Sequence, residues 1–275
     1  MTSRASGWLL TPMLALLLAC CASAKLHVPG TQAGPDSICG IGDLHGDVQH
    51  ALAAFALCGA ADASGRWTGG TMTVVQVGDV VDRGNSSLLV LRTLWDLRGQ
   101  AAAAGGELVL LLGNHELMNL QGRIHYVERS ELAREGGSTA WKRRMNPIHG
   151  DLGAALLAQD TAAVRGGGAC RTLFVHAGIR ASIAREYQSV GGLNEGVRAQ
   201  IASGSDRGEL LDPTDGPLWW RGYARPAGAS LTEEEVRSYR HSHSDADRNP
   251  RLDHPGLAVP RSQRRSYRST GHPTC

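Results

Sequence analysis

Four short apolar runs punctuate the chain, and each one stops abruptly on glycine, charge or histidine. "SICGIG", "MTVVQVG", "ELVLLLGN" and "RTLFVHAG" are rich in Val, Leu and Ile and apolar on both faces, the pattern of strands in a covered sheet. Between them, "VQHALAAFALCG" and "SSLLVLRTLWDLRGQAAAAGG" carry apolar residues at helical spacing and run into glycine stop signals. Strand and helix in alternation predict an α/β architecture. The stretch from Arg123 to Ala163 is more polar and predicts helices and loops over the rim of the sheet, its "KRR" triplet reading as a solvated face. No internal repeat is visible. Beyond Leu231 only "TEEEVRSYR" has helical spacing, so residues 231–275 read as a polar, disordered tail.

The start of the chain breaks this pattern. Arg4, an apolar stretch from Trp8 to Leu18 and then Ala22-Ser23-Ala24 form the three parts of a secretory signal peptide, residues 1–24, cut after Ala24. A membrane anchor competes, but about a dozen apolar residues fall short of the roughly 20 that span a bilayer. A lipoprotein site at Cys20 and a plastid transit peptide are the other readings. The expected location is the secretory pathway or the exterior, with a plastid or other organelle as the alternative and no stable membrane span in the mature chain.

Composition narrows the class. Of 275 residues, 42% are hydrophobic and 20% charged, an ordinary soluble balance, and 35 glycines imply many tight turns. A net charge of +2 points away from nucleic acid as a partner. Without the leader, Cys39, Cys58, Cys170 and Cys275 remain, with no C-x-x-C pair for a zinc ribbon. Cys39 and Cys170 lie in apolar runs and read as small buried thiols; an oxidising compartment would permit a bridge of undetermined pairing.

The chemistry lies where the strands end. After "SICGI" comes "GDLHGD" with Asp43 and His45; after "TMTVVQV" comes "GDVVDRG" with Asp79 and Asp82. After "LVLLL" comes "GNHE" with Asn114, His115 and Glu116, and after "TLFV" comes "HAG" with His176. One such cluster is a helix cap or an exposed turn; four at the same structural place describe a metal centre. Two divalent cations about 3.5–4 Å apart need a shared anionic bridge, and an aspartate flanked by glycine at a strand end, Asp79, can reach both. Oxygen and imidazole donors without thiolate suit manganese, iron or zinc.

These motifs in this order resemble the phosphoprotein phosphatase family of calcineurin-like metallophosphoesterases. "GNHELMNLQGRIHYV", "TLFVHAGI", "GLNEGVR" and "DGPLWWRGYA" are similar to its Shewanella-like phosphatase branch, and the match runs from about Ser37 to Tyr223. The resemblance implies an α/β metallophosphoesterase-type two-sheet sandwich flanked by helices, with the metal site at the strand C-terminal ends, occupying residues 25–230. It implies Asp43, His45 and Asp79 as ligands of one metal, and Asp79, Asn114 and His176 of the second. His115 would be the general acid, oriented by Asp82 in a pairing that favours the charged imidazole. Arg83 and Arg221 would clamp phosphate. The implied reaction is phosphomonoester hydrolysis on a phosphoprotein or phosphopeptide, by direct attack of a metal-bridging hydroxide. Two divalent ions serve as cofactors, manganese foremost.

One feature of the family pattern is missing. The second metal ordinarily receives another histidine from a later strand, and nothing after Tyr223 has that form: Gly271-His272 lacks a preceding apolar run, and His241, His243 and His254 lie in the polar tail. The domain is therefore expected to lack its last strands and to bind its second metal weakly. The alternatives are a truncated, catalytically impaired phosphate-binding protein and a dinucleoside tetraphosphate hydrolase, which shares "GDLHG" and "HAGI" but usually ends its third motif in Asp.

Overall fold

Each apolar run becomes a strand and each helically spaced segment a helix in the computed structural model, which describes residues 37–205 and 208–224. The leader, both ends assigned to the domain, the tail and its histidines lie outside the described residues. The order is β1 (Ile38–Ile41), α1 (Val48–Leu57), β2 (Thr73–Gln76), α2 (Ser87–Ala103), β3 (Glu107–Leu110) and α3 (Asn114–Leu120). Then follow α4 (Arg129–Arg134), α5 (Gly137–Arg144), α6 (Asp151–Leu157), β4 (Ala162–Arg165), β5 (Thr172–Val175), α7 (Ala181–Tyr187) and α8 (Val190–Ala202).

Strands β1, β2 and β3 form a parallel sheet in that order, with Val74 beside Leu108 and Val75 beside Val109. Successive side chains on a strand point to opposite faces, and this register sorts the core. Val74 and Leu108 join the large cluster that contains Phe55, Leu91, Leu94 and Leu97 from the helices. Val75 and Val109 face the other way, into a small cluster with Leu111, Ala163 and Phe174. That second cluster is the interior between the parallel sheet and the antiparallel pair β4–β5. Parallel strands covered on both faces explain why the runs show no polar alternation.

Three local differences from the sequence pattern have physical causes. The polar stretch Arg123–Ala163 forms α4, α5 and α6 as expected, but its end starts β4, whose four residues AAVR are too short and too small to signal a strand. The side chain of Asn194, on α8, substitutes for a neighbouring strand there: its oxygen accepts from the Thr161 and Ala162 amides at 3.0 Å each, and its nitrogen donates to the Ala162 carbonyl. Strand β5 is not covered on both faces. Thr172 and Leu173 are exposed, since β4 is its only strand partner among the described residues. Within "KRR", Lys142 and Arg143 are solvated, whereas Arg144 is held between Glu135 and Asp151.

Cys39 is not a free thiol. It bridges to Cys58, the residue that ends α1, because α1 folds back over β1 and brings the two α-carbons to 6.0 Å. Cys170 is disulfide-bonded as well. No helix among the described residues is long and apolar enough to cross a membrane.

Candidate metal centre

The C-terminal ends of β1, β2, β3 and β5 lie together, and the loops that leave them are braced by one another's backbones. The amides of Leu44 and His45 donate to the Asp79 carbonyl, Gly46 to Val80, and Gly84 to His45, at 2.8–3.0 Å. This bracing holds a strained backbone. His45, Asp79, Asp82 and Arg83 have positive φ of 45°, 57°, 72° and 65°, a conformation that costs a non-glycine residue about 1–2 kcal/mol. Four such residues in two adjoining loops mark a place where side-chain aim outweighs local stability. Glycine is required where the loops touch: a Cβ on Gly78 would sit 2.3 Å from the Gly113 nitrogen, and one on Gly113 would sit 2.2 Å from Asp79 Oδ1.

Asp79 is central. Its Oδ1 accepts from the His115 amide at 2.9 Å, which leaves Oδ2 facing three imidazoles: 3.5 Å from His176 Nε2, 3.8 Å from His45 Nε2 and 3.9 Å from His115 Nε2. Two groups of donor atoms share it, His45–Asp79–His115 and Asp43–Asp79–His176, each with ligand atoms within 4.8 Å of one another. Asn114 adds its amide oxygen 2.8 Å from His176 Nε2. The proximity groups differ from the expected division: Asp43 falls with His176, and His45 with His115. Asp43 and His45 nevertheless remain adjacent, 3.5 Å apart at Oδ2 and Nε2.

The tautomers can be read from the contacts. His45 Nδ1 lies 3.1 Å from the Val81 carbonyl and His176 Nδ1 lies 3.0 Å from the Val77 carbonyl. A carbonyl only accepts, so both Nδ1 atoms carry protons and both Nε2 lone pairs point inward. His45 Nε2 is buried with no hydrogen-bond partner, and His176 Nε2 faces two oxygens. Buried lone pairs converging on carboxylate and amide oxygens repel unless a cation lies among them. The donor set of oxygen and imidazole nitrogen fits manganese, iron or zinc.

His115 lies beside these groups with its two nitrogens differently engaged. Nδ1 is 2.7 Å from Asp82 Oδ2, and Nε2 is 3.2 Å from a terminal nitrogen of Arg83. Arginine has no acceptor, so its N–H donates to Nε2 and the proton of the neutral ring sits on Nδ1, donating to Asp82. The pairing with Asp82 was expected to favour the charged imidazole, and in the metal-free site burial acts against that charge. Burial is the largest influence on both, lowering His115 to about 4 and raising Asp82 to about 6, in the direction of the neutral ring that the contacts describe. Burial likewise raises Asp79 and lowers His176, the latter also disfavoured as a cation by Arg221. At Asp43, half exposed, the neighbouring His45 ring is the largest influence and lowers it. Burial opposes charge on His45, but the nearby Asp43 carboxylate and the Val81 carbonyl outweigh it and raise it.

The arginines differ in support. Arg83 is exposed overall, its amide donates to the Tyr126 carbonyl at 2.9 Å, and its guanidinium rests against His115. Arg221 is exposed on the segment after Trp220, near enough for its charge to act on His176. Gly178 permits that segment to approach: a Cβ there would lie 2.9 Å from the Trp220 ring and carbonyl.

Glu116 is not a ligand. It is fully buried and faces away from the imidazoles, its carboxylate accepting from the amides of Gly113, Asp79, Val80 and Val81 at 2.8–3.1 Å. It ties the β3 loop to the β2 loop. Asn119 went unnoticed in the sequence: it donates to Asp82 Oδ1 at 2.8 Å. Its only signal is its place four residues beyond His115, one turn along the same helix.

Strained strand-end loops that converge oxygen and imidazole donors on one shared aspartate, beside a His–Asp pair and an arginine, define a metallophosphoesterase architecture. The profile of the family described as calcineurin-like phosphoesterase matches residues 37–253, and the chain belongs to that family. Over 98 residues, 36% of this chain and 25% of the relative, it is 47% identical to Shewanella-like protein phosphatase 2 of Arabidopsis thaliana. Over 208 residues it is 33% identical to an uncharacterised protein of Schizosaccharomyces pombe, with 74% of this chain and 61% of the relative aligned. The chain thus spans between 25% and 61% of the length of these curated relatives. Among solved structures, a point variant of a cold-active protein tyrosine phosphatase superposes with a TM-score of 0.58 at 25% identity, covering 74% of this chain and 63% of that one. The cold-active protein tyrosine phosphatase of a Shewanella species gives 0.54 at 26% identity, with the same coverage of both chains.

Proposed function

We propose that the chain is a metal-dependent phosphoprotein phosphatase that hydrolyses phosphomonoesters by direct transfer of the phosphoryl group to water. The observation that carries this reading is the Asp79 carboxylate shared by two groups of inward-facing donors. The names of the Arabidopsis relative and the Shewanella structure, both protein phosphatases, support phosphoprotein or phosphopeptide substrates. Asp43, His45, Asp79, Asn114 and His176 would hold two divalent cations, manganese foremost. When bound, such cations acidify water and offset phosphate charge.

The residues themselves do the rest. Arg83 and Arg221 orient the phosphate through charge-assisted bonds to its oxygens. His115 Nε2 faces the site and delivers a proton to the departing oxygen, while Asp82 holds the ring by Nδ1. Burial keeps that ring neutral in the free protein, and the dianionic ester arriving beside Nε2 draws a proton onto it. With water as the nucleophile, no phosphoenzyme forms. The domain spans residues 25–230, behind a leader that directs it to the secretory pathway or an organelle; the Cys39–Cys58 bridge supports an oxidising compartment.

The test is turnover of 4-nitrophenyl phosphate and of phosphopeptides by the purified chain. Hydrolysis is expected to stop with EDTA and to return with manganese. In the same assay Arg83→Ala is expected to raise KM about tenfold or more, the equivalent of one lost charge-assisted hydrogen bond. Folded protein that binds phosphopeptide in saturating manganese without turnover would establish the second reading, a phosphate-binding protein. That reading is favoured by one observation: among the described residues, the Asp43–Asp79 group contains a single histidine, His176.

A further inference from the structure

We propose that Asn119 and Trp141 act as positioning residues, a buried relay that sets the direction of the Asp82–His115 pair from outside the metal centre. This inference rests on the phosphatase reading above and extends it to two residues whose side-chain hydrogen bonds lead to Asp82 and the His115 carbonyl.

The relay starts in the polar segment that looked like a rim covering. Trp141 on α5 is fully buried, and its indole Nε1 donates to Asn119 Oδ1 at 2.7 Å. Indole nitrogen can only donate, so it determines which end of the Asn119 amide faces it. The other end, Nδ2, must then face the opposite way, where it donates to Asp82 Oδ1 at 2.8 Å and to the His115 carbonyl at 3.0 Å. Both of those are acceptors, so the amide has one arrangement that satisfies all its bonds. Asp82 in turn spends one oxygen on Asn119 and the other on His115 Nδ1. A carboxylate bonded at both oxygens cannot rotate, and the imidazole plane follows it. Asp82, Asn119 and Trp141 are all inaccessible to water that could replace a lost partner.

A purely structural alternative exists. Asn119 also sits in a tightly packed helix, all of whose residues are buried, and its contacts could serve packing alone. The two roles differ in what they do to chemistry. A relay that aims a proton donor matters most when the departing oxygen is strongly basic, and little when it leaves as a stable anion. Packing has no such preference.

The experiment uses the full chain loaded with manganese, and compares phenyl phosphate, whose leaving oxygen needs a proton, with 2,4-dinitrophenyl phosphate, whose leaving oxygen does not. Asn119→Leu keeps the shape and removes every hydrogen bond; Trp141→Phe removes only the indole donor and stands in if the first variant does not fold. The expected result is a fall in kcat on phenyl phosphate of about tenfold or more for Asn119→Leu, a smaller fall for Trp141→Phe, and less than about threefold on the dinitrophenyl ester, with KM unchanged. Imidazole 15N spectra of the metal-free proteins, assigned by the signal lost in His115→Gln, give a readout independent of turnover. The parent is expected to show His115 protonated at Nδ1, and the variants a mixture of tautomers. Equal losses on both esters with an unchanged tautomer would overturn the relay and leave packing. If the parent turns over neither ester, the phosphatase reading fails and the tautomer alone decides the relay.

Discussion

Asp79→Asn is expected to remove bound divalent cation from the purified protein and to lower turnover on the order of 10³-fold, about 4 kcal/mol of transition-state stabilisation. The geometry makes the outcome specific. Oδ1 accepts the His115 amide at 2.9 Å, so in the variant the amide oxygen must keep that position. The amide nitrogen then occupies the place of Oδ2 and points two N–H groups into the space bounded by His45, His115 and His176. A donor there repels the cation that the carboxylate would bind. The fold should tolerate the change, because burial already disfavours the Asp79 carboxylate and a neutral side chain removes that penalty. Metal content by elemental analysis, turnover, and a urea midpoint for the metal-free protein at or above the parent's would agree together. Retained metal with parental turnover would remove Asp79 from the centre.

Glu116→Gln should have the opposite signature, a loss of stability of about 3–5 kcal/mol rather than a selective loss of chemistry. Each carboxylate oxygen accepts from two backbone amides, Oε2 from Asp79 and Gly113, Oε1 from Val80 and Val81. Glutamine offers one oxygen and one NH2 group, and either orientation sets a donor against two buried N–H groups. Those amides belong to the strained loop that carries Asp79 and Asp82, so the loop loses its anchor along with its hydrogen bonds. Burial, and then the nearby Asp79, push the Glu116 carboxyl upward, and the backbone amides of Val81, Gly113 and Asp79 oppose that shift. Equilibrium urea unfolding measures the effect, and a midpoint equal to the parent's would show that the loop is anchored elsewhere.

Much of this arrangement was legible in the chain itself, for reasons that are local. Strands β1, β2 and β3 announce themselves because packing on two faces demands apolar runs, β5 by its apolar run alone, and α1 and α2 because a helix on a sheet demands 3.6-residue spacing. The candidate ligands after β1, β2 and β3 announce themselves because a parallel sheet gathers its strand ends, so that short motifs far apart in sequence share one place. The Shewanella-like resemblance rested on the same runs. Strand β4 was hidden because four residues are too few to show a periodicity, and the amides at its start, those of Thr161 and Ala162, are satisfied by Asn194 more than thirty positions away.

What sequence spacing cannot encode is direction. "GNHE" puts Asn114, His115 and Glu116 side by side, yet one turn of helix sends Asn114 toward His176, His115 toward Asp82 and Arg83, and Glu116 into the backbone beneath. The Cys39–Cys58 pairing depends on the distance to which α1 brings two residues 19 apart, and the reach of Trp141 to Asn119 depends on where α5 packs. The neutrality of His115 depends on burial, which belongs to the assembled core and to no residue alone. Residue types and their order thus specify strands, helices and the chemical kinds of ligand, because those follow from local pattern. Partners, protonation and aim follow from distances and dielectric surroundings, which exist only once the chain has packed.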